Sequence, residues 1–188
     1  MRANAGAALM LALTAFAASA AEVAGVRLDD KTQVESRELV LNGAGLRKRV
    51  VFNVYVIGLY LPEKKSDPAA VLQLAGPKRV AIHMLRDVGA EQFTDALIEG
   101  LKENHPEADY KALEPRAKDL AGIFAEIKEA KKGMVIALDW TGTATRLMVN
   151  GNPTGKPIPG EDFYRALLRI WLGDKPVQND LKRALLGT

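Results

Sequence analysis

The run Leu41–Leu61, LNGAGLRKRVVFNVYVIGLYL, constrains the fold more than any other stretch of this chain. From Val50 to Leu61 it is dense in valine, isoleucine, tyrosine and phenylalanine, with no proline before Pro62. Such β-branched and aromatic side chains fit a pleated surface, so the run predicts a central strand. Successive side chains in a strand face opposite ways, which puts Phe52, Val54 and Val56 on one face and Val51, Asn53, Tyr55 and Ile57 on the other. Both sets are mostly apolar, and both faces therefore require cover. The preceding Gly43-Ala44-Gly45 reads as a tight turn that delivers the chain to the strand.

Three cations, Arg47-Lys48-Arg49, stand at the strand entrance. Lys48 and Arg49 read as a solvated basic edge that discourages pairing with other chains. Arg47 is different, because alternation puts it on the side of Val51 and Tyr55. A guanidinium over an apolar and aromatic cleft can anchor a carboxylate, phenolate or enolate oxygen. Pairing with a carboxylate of the chain itself is the competing reading of the same residue.

The 188 residues fit one domain, with 48% hydrophobic and 26% charged residues. The start, MRANAGAALMLALTAFAASAAE, has a cation at Arg2, an apolar run from Ala7 to Ala17 and small residues before a cut expected after Ala20. That layout predicts a secretory signal peptide over residues 1–20 and a domain over residues 21–188. The apolar run is too short to span a bilayer, so no integral membrane span is expected. The protein is thus expected to be exported, to the periplasm if the source is a Gram-negative bacterium. With no cysteine, disulfides and thiolate chemistry are excluded. The formal charge of +3, or +2 once Arg2 leaves with residues 1–20, is too small and too interspersed with acids to mark a nucleic-acid binder. His83 and His105 are isolated from other ligand types, so neither a metal nor another cofactor is expected.

Beyond the central run, Val23, Val26 and Leu28 predict a short strand and turn, and Glu38–Leu41 a further strand ending at Asn42-Gly43, a strong turn dipeptide. Pro68–Leu72 predicts a helical turn and Arg79–Leu85 another strand. Phe93, Ala96, Leu97, Gly100 and Leu101 form one apolar helical stripe, broken at Asn104-His105-Pro106. Glu107–Leu113 and Arg116–Glu129 predict two further helical pieces, the second stopped by Gly133 after three lysines. Met134–Trp140, Ala144–Val149 and Asn152–Thr154 predict a three-stranded meander, with Asn150-Gly151 as a primed turn. Pro157–Gly160 reads as a stiff turn. Phe163, Ala166, Leu167, Ile170 and Trp171 mark a helix closed by Gly173, and Asn179-Asp180 caps a last one. The pattern argues an α+β fold, a mostly antiparallel sheet with helices on one face.

The Leu41–Leu61 run, with its glycine-rich turn, arginine and Ile57-Gly58-Leu59-Tyr60-Leu61 ending, resembles the signature of the chalcone isomerase superfamily. Three segments are similar to that family in the same order: Gly76-Pro77-Lys78-Arg79-Val80, the helix with Glu91-Gln92-Phe93, and Leu172-Gly173 through Asp180-Leu181-Lys182-Arg183. The nearest resemblance is to its exported bacterial branch. It implies an open-faced β-sandwich, a large antiparallel sheet backed by helices, with a ligand cleft between them. In the isomerases of the family an arginine stabilises the enolate that develops as a flavanone ring closes, and Arg47 occupies that position.

The rest of the implied site is altered. Tyr55 stands where plant isomerases have threonine, Phe93 where they have tyrosine, Gly100 near their asparagine and Ile170 near their threonine or serine. The resemblance thus implies a drier, roomier cleft that keeps one cation, suited to a small amphipathic acid such as a fatty acid. Arg47, Tyr55, Phe93, Leu97 and Ile170 are the expected ligand-binding residues. Residual isomerase activity would use Arg47 as electrophile and Tyr55 as general acid. A protein-interaction module, in which Phe93, Leu97, Ile170 and Trp171 are plain core, is the third possibility.

Overall fold

The structure, a computed structural model, describes residues 21–188; the expected signal peptide at residues 1–20 lies outside the described residues. The chain opens with a short hairpin, β1 (Ala21–Val23) and β2 (Val26–Leu28). It continues through β3 (Lys31–Val34), β4 (Arg37–Arg49), β5 (Phe52–Leu61), α1 (Pro68–Gln73) and β6 (Lys78–Met84). A two-residue strand β7 (Val88–Gly89) leads into α2 (Ala90–Glu103) and α3 (Glu107–Ile127). Then come β8 (Glu129–Ala130), β9 (Val135–Trp140), β10 (Ala144–Val149), β11 (Asn152–Pro159), α4 (Glu161–Leu172) and α5 (Asn179–Leu186).

Seven strands form one sheet in the order β11-β10-β9-β6-β5-β4-β3, every neighbouring pair antiparallel. One face carries the main core: Ile57, Leu59, Ile82, Met84, Ile136 and Trp140 of the sheet meet Leu101, Leu120, Phe124, Phe163, Leu167 and Trp171 of the helices. The other face carries a smaller cluster in which Val56, Tyr60, Ala81 and Ala137 meet Leu28, Val34, Leu39 and Leu41. Both faces of β5 are covered, and Tyr55 and Ile57 face the helices while Val56 faces away, as alternation requires. This is the expected α+β fold, a large antiparallel sheet backed by helices.

The glycine-rich segment differs from its sequence reading. Gly43-Ala44-Gly45 lies inside β4, and the chain turns instead at Val50-Val51, where Arg49 pairs Phe52. The glycines serve close approach rather than turning. A Cβ on Gly43 would overlap the Ala184 carbonyl oxygen and lie 2.6 Å from that of Leu185; one on Gly45 would lie 2.6 Å from Leu181 Cδ1. Helix α5 therefore rests almost directly on the β4 backbone. Asn42-Gly43 is a bulge, with Leu41 opposite Tyr60 and Gly43 opposite Leu59. The bulge turns the Asn42 amide inward, where it donates to Leu185 O (2.7 Å) and Lys65 O (2.9 Å) and accepts from Lys65 N (2.6 Å).

Three other boundaries move for physical reasons. Helix α3 runs unbroken through Pro115, because Leu113, Ala117 and Leu120 bury one continuous face on both sides of it. It ends at Ile127, six residues before Gly133: Lys128 takes φ +65° and turns the chain so that Glu129-Ala130 pairs with Val88-Gly89. Strand β11 extends to Pro159 despite Pro153 and Pro157, since it is an edge strand and proline costs no ladder bond on its outer side. Asn150 (φ +50°) and Gly151 (φ +81°) do form the primed turn their sequence predicts.

The contact of α5 with β4 yields a first prediction. Gly43→Ala pushes a methyl against backbone carbonyls that cannot swing aside, and should lower stability by about 2–3 kcal/mol in urea denaturation. A change below about 0.5 kcal/mol would show that α5 does not sit on the strand as described.

Candidate functional site

The β4–β5 hairpin places the two polar candidates side by side. Arg47 and Tyr55 are direct cross-strand partners, and both face the helices. The sequence reading reached this pairing by counting along a single strand; the real cause is the hairpin, with a register shift between Arg47 and Lys48. Beyond Val40 the outer edge of β4 has outrun β3. Gln178 takes the missing strand's place: its Oε1 accepts from Lys48 N (2.9 Å) and its Nε2 donates to Leu46 O (3.2 Å). The backbone on both sides of Arg47 is thereby fixed.

Trp171 Nε1, near the end of α4, donates to the Tyr55 hydroxyl at 3.0 Å. Accepting that bond leaves the phenol its own proton to donate onward. Burial raises the Tyr55 pKa above 10.0, while the Trp171 bond and the Arg47 charge pull against it. Tyr55 as a whole is partly exposed, but its hydroxyl lies in the desolvated seam beneath α4. At neutral pH it is a protonated phenol beside a guanidinium.

Arg47 stands apart from the other half-buried arginines. Arg79 grips Asp139 through Nε and Nη2, both at 2.6 Å, and Thr32 Oγ1 at 2.6 Å. Arg116 makes the same two-pronged grip on Asp162, at 2.7 and 2.6 Å. Arg47 Nη1 donates to the Lys48 carbonyl at 2.8 Å, and among the described residues no carboxylate lies within 4.0 Å of its guanidinium. A planar fork that can hold a carboxylate two-pronged is left without one.

The apolar candidates belong to the same layer but are tightly packed. Leu97 is 6% and Ile170 4% exposed. Phe93, half-buried, stacks on Phe124 with ring centroids 4.6 Å apart. The room expected at Gly100 is taken up by Ile170, whose Cγ2 would lie 2.9 Å from a Cβ there. The glycine thus lets α4 approach α2 and does not open a chamber. Two surface cavities lie elsewhere: about 310 Å³ beside His105, Asp109 and Arg165, and about 210 Å³ on the far face of the sheet beside Arg27, Tyr60 and Arg79.

Sequence reasoning passed over Gln178 and took Trp171 for core alone. The signal for Trp171 was its indole N–H, which needs an acceptor when buried, with Tyr55 a polar group on the helix-facing side of β5. Gln178 carried no such signal.

The family described as chalcone isomerase-like matches residues 20–187. The chain belongs to the chalcone isomerase-like family. No curated protein matches it in sequence. Among solved structures it is similar to a fatty-acid binding protein of Arabidopsis thaliana, with a TM-score of 0.69 and 12% identity over 86% of this chain and 92% of that one. At that identity the likeness shows that the chalcone isomerase-like fold is shared. Among the described residues no helix is long and apolar enough to cross a membrane.

The buried phenols predict a loss of stability at alkaline pH. Burial raises Tyr55, pushes Tyr60 up to about 12 and holds Tyr164 well above 10.0. Raised folded-state values mean stability that is whole below the unfolded value of 10.0 and lost as pH climbs toward the folded ones. Stability should therefore be insensitive to these groups at neutral pH and fall above pH 10, by up to about 1.4 kcal/mol per pH unit for each phenol. Denaturant melts from pH 8 to 11.5 test this; a flat profile above pH 10 would contradict it.

Proposed function

We propose that this protein binds a small amphipathic carboxylic acid, such as a fatty acid, with its head group on Arg47 and Tyr55 and its apolar body in the seam between α2, α4 and the sheet. The observation that carries this reading is the half-buried Arg47 guanidinium, without a carboxylate and paired across the hairpin with a protonated phenol. Guanidinium and phenol together offer donors to both oxygens of a carboxylate. Ligand sites of this kind combine a few fixed polar groups with an apolar lining, here Phe93, Leu97 and Ile170. The Arabidopsis protein is a fatty-acid binding protein, which agrees with the chemistry of these residues. We further propose that residues 1–20 direct export and that binding takes place outside the cytoplasm.

Because the seam is closed without a guest, the apolar tail must part side chains, with Phe93 leaving Phe124. Arg47 supplies the attraction and the packed seam sets the resistance.

Two outcomes follow. A thermal-shift series with saturated acids of eight to eighteen carbons should give a saturable stabilisation that falls about tenfold in affinity or more in Arg47→Ala, the usual loss on removing a charged hydrogen-bond partner. Arg47→Lys should recover part of it, and a chalcone incubated with the protein should cyclise no faster than in buffer. No shift with any acid, or equal shifts in wild type and Arg47→Ala, would defeat the proposal. Ile170→Ala should cost about 2–4 kcal/mol of stability yet enlarge the shift produced by the longer acids, because it empties space beside Gly100. Reduced stability with a reduced ligand shift would place the tail elsewhere.

A further inference from the structure

Among the described residues the exposed large apolar side chains are three in a row: Val50 (90%), Val51 (81%) and Phe52 (57%). They form the tip of the β4–β5 hairpin. Two-residue hairpin loops favour asparagine, aspartate or glycine at positions with positive φ. Val50 nevertheless holds φ +55°, where a β-branched residue is strained. The β10–β11 hairpin supplies an internal comparison: its two-residue loop, Asn150-Gly151, has the ordinary residues at φ +50° and +81°. The chain uses unstrained turn chemistry at one hairpin and keeps an exposed valine against the backbone preference at the other.

The tip is collared by cations. Lys48 and Arg49 precede it and are exposed. Exposed Arg86, just past β6, lays its guanidinium 4.7 Å from the Phe52 ring centroid. Leu85 N donates to Val54 O at 3.0 Å, tying that segment to β5. The Lys131-Lys132 loop is fastened to the same end, with Lys132 N on Asp87 Oδ1 (2.7 Å) and Gly133 N on Met84 O (2.8 Å). Carboxylates also lie near this end: Asp87, already accepting from Lys132 N, Glu91 and Glu129 beside the β7–β8 pair, and Asp180, which is paired with Arg183 and follows the Gln178 that holds Lys48 N. The cations Lys48, Arg49, Arg86, Lys128, Lys131 and Lys132 outnumber them.

We propose that this hairpin tip docks the protein on a lipid bilayer bearing anionic head groups. Val50, Val51 and Phe52 enter the interfacial layer, and the surrounding arginines and lysines bind the head groups. The charge of the collar selects a negatively charged surface, and exposed apolar side chains ringed by cations suit the boundary between head groups and acyl chains. Docking stands on the tip and collar alone. Its consequence, that an amphipathic acid passes between bilayer and Arg47 at the same end of the sheet, rests on the function proposed above.

The test is co-sedimentation of residues 21–188, which carry both core layers, with phosphatidylcholine vesicles with and without one-third phosphatidylglycerol. Binding is expected to the anionic vesicles, to weaken with added salt, and to fall about twentyfold or more in Arg49→Glu/Arg86→Glu. Phe52→Ser should weaken binding as well. Val50→Asn should weaken it while raising Tm by about 2 °C, a combination that a purely structural loop would not produce. All of these variants should keep the fatty-acid thermal shift in solution, so failure here is distinguishable from failure of the binding function. No binding to anionic vesicles, or binding indifferent to every variant, would overturn the proposal. A concentration-dependent dimer lost in Phe52→Ser would assign the tip to a second copy of the chain and overturn it equally.

Discussion

The placement of Arg47 depends on how closely α5 can approach β4. Strand β4 is long and its outer edge loses its neighbour after Val40, which would leave a row of unsatisfied backbone groups and a mobile end. Three local features prevent that. Gly43 and Gly45 have no Cβ to hold α5 away, the Asn42 bulge ties the strand to the end of α5 and to Lys65, and Gln178 supplies the ladder bonds at Leu46 and Lys48. The arginine between those last two residues is held by its backbone while its side chain stays uncommitted to any carboxylate.

The same sheet shows what commitment looks like. On the far face, Arg79 is locked by Asp139 and Thr32, a partly buried pair whose removal would strand a charge. On the helix face, Arg47 is balanced by polar groups that are not anionic, the Tyr55 hydroxyl and the Lys48 carbonyl, while Trp171 holds the phenol in place. One arginine staples the fold; among the described residues the other has no carboxylate partner. The seam of Leu97, Ile170 and the Phe93–Phe124 pair is tightly packed, so under the proposed function a guest would replace protein contacts instead of filling a void.

Much of this was legible in the sequence. The alternation of β5, the apolar stripes of α2 and α4 and the Asn150-Gly151 turn give the layers, since each is a local pattern with a local cause. Arg47 and Tyr55 were placed on the same side, though by counting along one strand through residues that in fact turn at Val50-Val51. What stayed hidden depends on contacts between distant segments. Glycine reads as a turn until a helix is seen resting on it, and Pro115 reads as a break until the buried face that spans it is known. The roominess implied by Gly100 vanished because Ile170 grew into it, a compensation visible only when the two helices are packed together. Val50 gave no signal of strain, because valine in a strand-like run is the commonest of observations.

The central claim is that the Arg47 guanidinium holds an ionised acid in a desolvated seam. The most direct measurement is the pH titration of a carboxyl-¹³C fatty acid bound to the protein, followed by its carbonyl NMR signal. Beside Arg47 the bound carboxyl should stay ionised to well below the ordinary carboxylate range, and this displacement should disappear in Arg47→Ala. A bound signal that titrates alike in the two proteins would contradict the claim.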